Sequence, residues 1–494
     1  MKFTVKNIML SILAIAVICA GSVGINPNYA YADDGLVQED TQNYIRIGLK
    51  YGSSASDLYA VEFSDAVVIG VAENKNFTPN VAFPDITNVR MEIIDSAVVV
   101  WGINAVGEEI CLNEGLPEVN CIMPNTYIGD GTFSVNGNNY RGGVLFNIVD
   151  DSITLINYID VDKYLYGVIN SELHHDHPME ALKAQTVAAR SFSVCKLNTH
   201  KSYGFDLCTT THCQVYKGYD GEYPETTQAV DETKGETVKY KGKTVSAFYY
   251  KNSGGHTQAS EEVWSATEGY LRAKKDEYSP AYNWTSTMTF SQIETKLYVA
   301  GYNVGQLQKI SIEDRYDSGA VASLVFTGSN GTATLKKEKI RTVLGGSYIK
   351  STMFSFEGAA AETVKPEAPK VEESTGDIYG LTMDQAEIET LGTTVWVLDA
   401  DGNLVKKTIS GLYATNGETT NKITTSMKKE ETPSQSESDS TTTSLEVVTG
   451  PEVTFVGQGY GHGVGMAQDG AIEMAKKGFT YRDILQYYYT DIEI

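Results

Sequence analysis

Positive charge is scarce in this chain. Its 494 residues carry 39 Lys and Arg against 63 Asp and Glu, a formal net charge of −24 at pH 7. So acidic a surface argues against nucleic acid as a partner. No solenoid-type internal repeat is visible, and beyond one apolar run near the start no segment is apolar enough to span a bilayer. A phosphate loop is missing as well. The glycine-rich GQGYGHGVGMAQDG near the end lacks the Lys-Ser/Thr ending that such a loop requires. Histidine and cysteine are few, seven and six, so each can be weighed individually.

The apolar run, Ile8 to Ala20, follows Lys2 and Lys6 and precedes the small residues Ala30 and Ala32. That order predicts a secretory signal over residues 1–32, cut after Ala32, and hence an extracytoplasmic protein. An uncleaved anchor is the alternative. Cleavage removes two lysines and no acid, and leaves a length suited to about two or three domains of ~100–200 residues each. Cys19 departs with the signal. Cys195 falls in a predicted helix and is expected to be a buried thiol. Cys111 and Cys121 flank CLNEGLPEVNC and could close a short disulfide outside the cell.

Short alternating runs such as YIRIGLKYG and AVVVWGIN, separated by Gly, Asn, Asp and Pro, predict a small β-rich domain over residues 43–125. A second β segment has turn signals at NGNN and VDDS. The main folded unit is expected over 126–358. Residues 359–450 read as an insertion: a Pro- and Glu-rich linker, a hairpin within TVWVLDADGNLVKKTIS, then a low-complexity stretch. The apolar pattern resumes over 451–494, which needs the earlier unit to pack on. The expected fold class is therefore α+β, a β-rich N-terminal region followed by a mixed α/β core interrupted by a linker and β-hairpin.

Chemistry concentrates in SELHHDHPMEALKAQTVAAR, Ser171 to Arg190. Pro178 suits a first helical turn, and Met179 to Leu197 holds no Gly or Pro, so a helix with close-packing alanines is expected there. Lys183 and Arg190, seven apart, share a face, which is either a solvated edge or the wall of a groove. Glu172 is expected in the turn between the strand-like YLYGVIN and that helix, a position from which a carboxylate projects into a cleft. Taken alone, such a glutamate is more often structural than catalytic. Asp176 is accounted for by helix capping, and His174, His175 and His177 are spaced too closely in a turn to converge on one ion.

A better metal set is His200, Cys208, His212 and Cys213, a Cys2His2 combination of the kind that holds Zn2+ in closed structural sites. A Cys208–Cys213 disulfide is the alternative. Two glycine-rich stretches, NSGGHTQ and GYGHGVG, can bring backbone near a ligand. Ser253, Gly254, Gly255, His256, Gly461, His462 and Gln468 are therefore candidate sugar donors, although structural turns account for many of those glycines equally well.

The blocks YLYGVINSEL, EALKAQTVAARSF, CTTTHCQVYKG, NSGGHTQASEEVW and GQGYGHGVGMAQDGAIEMAKKGFTYRDILQYYY occur together in this order. In this the chain resembles the SpoIID/LytB family of bacterial cell-wall proteins. The SpoIID branch implies a lytic transglycosylase that cuts peptidoglycan glycan strands between N-acetylmuramic acid and N-acetylglucosamine, with Glu172 as the catalytic acid and Lys183 and Arg190 as helix residues tied to activity. It also implies zinc at the Cys2His2 set. The LytB branch implies instead a non-catalytic wall-binding protein that enhances an amidase. One departure stands out. The family commonly follows this glutamate with Met-Pro, whereas Leu173 and His174 follow it here.

A glycosidase normally needs two carboxyls. The resemblance allows one, because the muramyl 6-hydroxyl is tethered to the reacting sugar and can itself close onto C1. Such a carboxyl should be partly buried, so that its pKa rises toward neutrality.

Overall fold

The computed structural model describes residues 43–358 (except 74, 117 and 127–129) and 443–494. It also describes the short strands Ala360–Val364, Thr394–Leu398, Leu404–Thr408, Tyr413–Thr415 and Thr420–Lys422. The expected signal, Cys19 and most of the linker lie outside these residues. By compactness the chain divides into residues 1–359 with 447–494, and residues 360–446. In the smaller unit Thr394–Leu398 pairs antiparallel with Leu404–Thr408, as the hairpin signal at DADGN predicts.

In the larger unit twelve strands fill residues 44–160: β1 (Tyr44–Lys50), β2 (Leu58–Phe63), β3 (Val67–Glu73), β4 (Asn76–Phe83), β5 (Asn88–Ile94), β6 (Ala97–Ile103), β7 (Glu109–Cys111), β8 (Cys121–Pro124), β9 (Thr132–Val135), β10 (Asn138–Arg141), β11 (Gly143–Val149) and β12 (Ser152–Asp160). With β13 (Leu207–Cys208) they form a seven-stranded sheet ordered β13-β1-β12-β11-β8-β3-β4 and a six-stranded sheet ordered β10-β9-β2-β5-β6-β7. The sheets share one apolar core. Strand β2 alternates, burying Tyr59, Val61 and Phe63 against Val67, Ile69, Phe146 and Leu155 of the other sheet, the period of two expected of a sheet with one covered face. The turn signals hold. Asn136 and Gly137 both have positive φ in the two-residue link from β9 to β10, and Asp150 and Asp151 do so between β11 and β12. Strand β8 pairs with β11, so the sheets run continuously past residue 125, where a boundary was expected.

Strand β12 is buried on both faces and runs straight into helix α1 (Val161–Glu172). Asp160 caps it, its carboxylate accepting from the Asp162 N–H at 2.9 Å. This corrects the strand-like reading of YLYGVIN. Val161, Tyr164, Leu165, Val168 and Ile169 are all buried, a helical stripe that overrides the strand preference of β-branched and aromatic residues. Helix α2 (Met179–Cys195) begins after Pro178, with Ala181, Ala184, Ala188 and Ala189 fully buried. The C-terminal segment does pack on this helix. Val464, Met466, Ala471, Ile484, Leu485 and Tyr488 share a core with Ala184, Val187 and Ala188.

Two cysteine expectations fail. Cys121 is a fully buried free thiol on the seven-stranded sheet, while Cys111 lies on the other sheet, so no bridge joins them. Cys195, the last residue of α2, is exposed.

Candidate functional site

Glu172 is the last residue of α1. Its neighbours come from three segments distant in sequence. The Val215 N–H and the Tyr249 hydroxyl lie by the carboxyl and favour its charged form. The backbone carbonyl of Glu172 accepts from Gln468 Nε2 at 3.0 Å. Tyr249 and Gln468 are adjacent because Tyr249–Tyr250 pairs in parallel with Met466–Ala467, the residues just before Gln468. Burial pushes the Glu172 pKa above the ordinary carboxyl value, and the Val215 and Tyr249 donors pull partly against it. Among the described residues no cation pairs with this carboxyl, which is half-buried. It is therefore an acid that can hold its proton longer than a surface glutamate does, the state a proton donor needs.

The other expected site residues fall in different places. Arg190 is 1% exposed and does not face a groove. Its Nε donates to Asp162 at 2.6 Å, and its terminal nitrogens donate to the Glu236 and Val230 carbonyls at 3.1 and 3.3 Å. It is an internal strut between α2 and α1. Lys183 is held by Glu232 at 2.6 Å and Glu180 at 3.2 Å. The shared face seen in the sequence thus points largely into the protein.

The glycine loops close on each other rather than on open space. A Cβ at Gly254 would lie 2.8 Å from the Gln458 backbone, and one at Gly461, whose φ is +122°, would lie 2.6 Å from the Tyr250 Cβ. Ser253 is buried and its Oγ accepts from the Gly255 N–H. Gly255 alone of this group keeps free space around its Cα. His256 places Nδ1 2.6 Å from the Thr257 carbonyl.

His462 is also committed internally. Its Nδ1 accepts from the Val464 N–H at 3.1 Å, and the ring bonds the Tyr249 backbone, among the rings of Phe248, Tyr250 and Trp264. Burial, with Arg341 nearby, lowers its pKa to about 4. Protonation would abolish the Val464 bond. The neutral ring therefore contributes stability above the ordinary histidine value of 6.5 that is lost as pH falls toward about 4. Thermal melts across that window are expected to show His462→Gln less pH-dependent than the native chain. Parallel slopes would contradict this role.

His174 bonds Asp176 at 2.8 Å on the surface, and His175 stacks on Tyr223 at 4.4 Å. Asp176 is not the helix cap that was expected, since Pro178 holds that position.

His200, Cys208, His212 and Cys213 do converge, with ligand atoms all within 4.8 Å of one another. Among the described residues this is the one group of three or more His, Cys, Asp or Glu so placed. Cys213 Sγ lies 3.5 Å from His200 Nε2 and 3.4 Å from His212 Nδ1, and Cys208 Sγ lies 3.8 Å from His212 Nδ1. Metal bonds of about 2.0–2.3 Å at tetrahedral angles give edges of about 3.5 Å, so the donor set fits a four-coordinate ion. Strand β13 fixes Cys208 by pairing Gly48 with it on β1.

Gln214 and Val215 were not singled out by sequence reasoning, and Tyr249 was read there only as a ring for sugar stacking or for the core. Gln214 and Val215 do stand directly after Cys213 of the Cys2His2 set, but spacing gives no sign that they reach Glu172.

Comparison with known proteins bears on the same residues. Residues 244–369 match a domain of unknown function, DUF8618. The chain is 31% identical over 377 residues to an amidase enhancer of Bacillus subtilis (strain 168), covering 74% of this chain and 46% of that protein, less than half its length. It is 26% identical over 367 residues to an uncharacterized protein of Brachyspira hyodysenteriae, covering 73% of this chain and 74% of that one. It is 25% identical over 354 residues to stage II sporulation protein D of Bacillus subtilis (strain 168), covering 68% and 74%. Residues 149–240, which hold Glu172, both helices and the Cys2His2 set, match the family described as stage II sporulation protein, SpoIID. Residues 149–240 are thus identified as a SpoIID-family domain, and Glu172 lies within it.

Proposed function

We propose that this protein is an exported peptidoglycan lytic transglycosylase with Glu172 as its acid and base. The observation that carries the reading is the half-buried, cation-free carboxyl of Glu172, its pKa raised by burial, at a residue on which three remote segments converge. Glu172 gives its proton to the glycosidic oxygen between N-acetylmuramic acid and N-acetylglucosamine as the C1–O bond breaks. The resulting carboxylate takes the proton of the muramyl 6-hydroxyl as that oxygen bonds to C1. Acid and base are the same group, the product is a 1,6-anhydro sugar, and no water is consumed. The likeness to stage II sporulation protein D supports this reading.

A second reading is an accessory role. The relative named amidase enhancer favours it, and so does the internal engagement of Lys183 and Arg190, which leaves neither cation facing Glu172. Digestion of amidase-treated peptidoglycan separates the two. Anhydro ends support the enzyme. No cleavage alone, with faster stem release when an amidase is added, supports the accessory.

The Cys2His2 set is proposed to hold one structural zinc ion, with no position left for a reactive water. Elemental analysis is expected to find one zinc per chain, lost in Cys213→Ser. A metal-free protein with a Cys208–Cys213 disulfide would contradict this.

A further inference from the structure

The hydroxyl of Tyr249 has a direction, and the residue that sets it is Gln214. Gln214 is 1% exposed and directly follows the ligand residue Cys213. Its Oε1 faces the hydroxyls of Ser193 at 2.7 Å and Tyr164 at 3.2 Å. Its Nε2 faces the Ala189 carbonyl at 3.3 Å and the Tyr249 hydroxyl at 3.1 Å. The Ala189 carbonyl fixes this orientation, because a flipped amide would set two acceptor oxygens against each other. One Nε2 hydrogen then goes to Ala189 and the other to the Tyr249 oxygen. The hydrogen of Tyr249 is then free for Glu172, the carboxyl whose charged form this hydroxyl favours.

Val215, the next residue, supplies the other donor to that carboxyl. Both donors to Glu172 therefore depend on two residues that leave the Cys2His2 loop side by side. The titratable groups near this chain are Tyr164 on α1 with Tyr216 against its ring, Tyr249 with Tyr489 near it, and the thiols of Cys208 and Cys213.

We propose that Gln214 is a positioning residue that transmits closure of the Cys2His2 loop to Glu172 by orienting the Tyr249 hydroxyl. The proposal rests on the catalytic reading of Glu172, but its first readout does not require turnover. A hydrogen bond donated to a carboxylate favours the charged form, so disturbing the chain raises the pH at which Glu172 ionises.

The test follows the Glu172 carboxyl by infrared difference spectroscopy against Glu172→Gln in zinc-loaded full-length protein as pH is varied. Tyr249→Phe, which removes one oxygen and leaves no cavity, is expected to move the midpoint upward. Gln214→Leu is expected to move it the same way, and the double variant no further than Tyr249→Phe alone. Chelating the zinc from the native chain is expected to shift it upward too. Where glycan cleavage is measured, Gln214→Leu lowers kcat about tenfold with KM unchanged, as expected of a misplaced acid. Additive shifts in the double variant, a native midpoint in folded Gln214→Leu, or a chelated protein with an unmoved midpoint would overturn the coupling. If the midpoints shift as stated while the native chain makes no anhydro ends, the coupling stands and the catalytic reading falls.

Discussion

Exchanging Glu172 for Gln is expected to lower glycan cleavage by about 10³-fold or more while leaving the protein folded and able to bind glycan strands. Loss of positioned acid and base catalysis is typically worth about 10²–10⁴, and here one group performs both. The substitution should also be slightly stabilising at neutral pH. The folded-state pKa of Glu172 is raised by burial, so its charged form costs stability once pH rises through that value, and glutamine carries no such cost. Glutamine can still accept from Val215 and Tyr249. The stability gain should vanish at pH values where the native carboxyl is protonated in folded and unfolded chains alike. Denaturant unfolding of both proteins at acidic and neutral pH checks this sign. A less stable variant at neutral pH would show that the carboxylate is held by a favourable partner instead.

Arg190→Met is expected to be severely destabilising, by about 3–5 kcal/mol, because it leaves Asp162 buried without its cation. The bonds to the Val230 and Glu236 carbonyls disappear as well. Activity is then lost because α1 and the Glu172 it carries lose their anchor, not because a substrate contact is missing. Pairing the change with Asp162→Leu should recover part of the loss, since an apolar pair removes the stranded charge. Urea unfolding of the two single variants and the double variant measures this directly. An Arg190→Met protein of native stability whose only defect is a raised KM would instead place Arg190 on the substrate.

How much of this was legible in the sequence depended on whether the governing interaction was local. Helix α2 announced itself through Pro178 and a long run without Gly or Pro. The turns at Asn136–Gly137 and Asp150–Asp151 did so through residues that tolerate positive φ. The Cys2His2 set was readable because three of its members sit within six residues and the donor chemistry is distinctive. Helix α1 was misread because Tyr164, Val168 and Ile169 favour strands by propensity, and only burial against Ile45, Ile47 and Leu207 shows why a helical stripe prevails. Arg190 was misread for a related reason. Seven-residue spacing identifies a shared helix face but not whether that face looks outward, which the distant residues Asp162, Val230 and Glu236 decide.

The surroundings of Glu172 were the least legible part. Val215, Tyr249 and Gln468 reach it across gaps of tens to hundreds of residues, and no spacing rule links them. Yet the sequence blocks that carry the family resemblance supply α1, α2, Cys208, His212 and Cys213 with Val215, and Gln468, and Tyr249 stands three residues before the block NSGGHTQASEEVW. Their order in the chain was visible. Their convergence on Glu172 required the fold.

The most direct measurement is the mass of the muropeptide ends released from stem-free glycan strands by the native chain. Ends lighter by one water than the reducing sugar, and absent with Glu172→Gln, are the result predicted for a single carboxyl acting as acid and then base. Ends of full reducing-sugar mass, or ends still formed by Glu172→Gln, would contradict it.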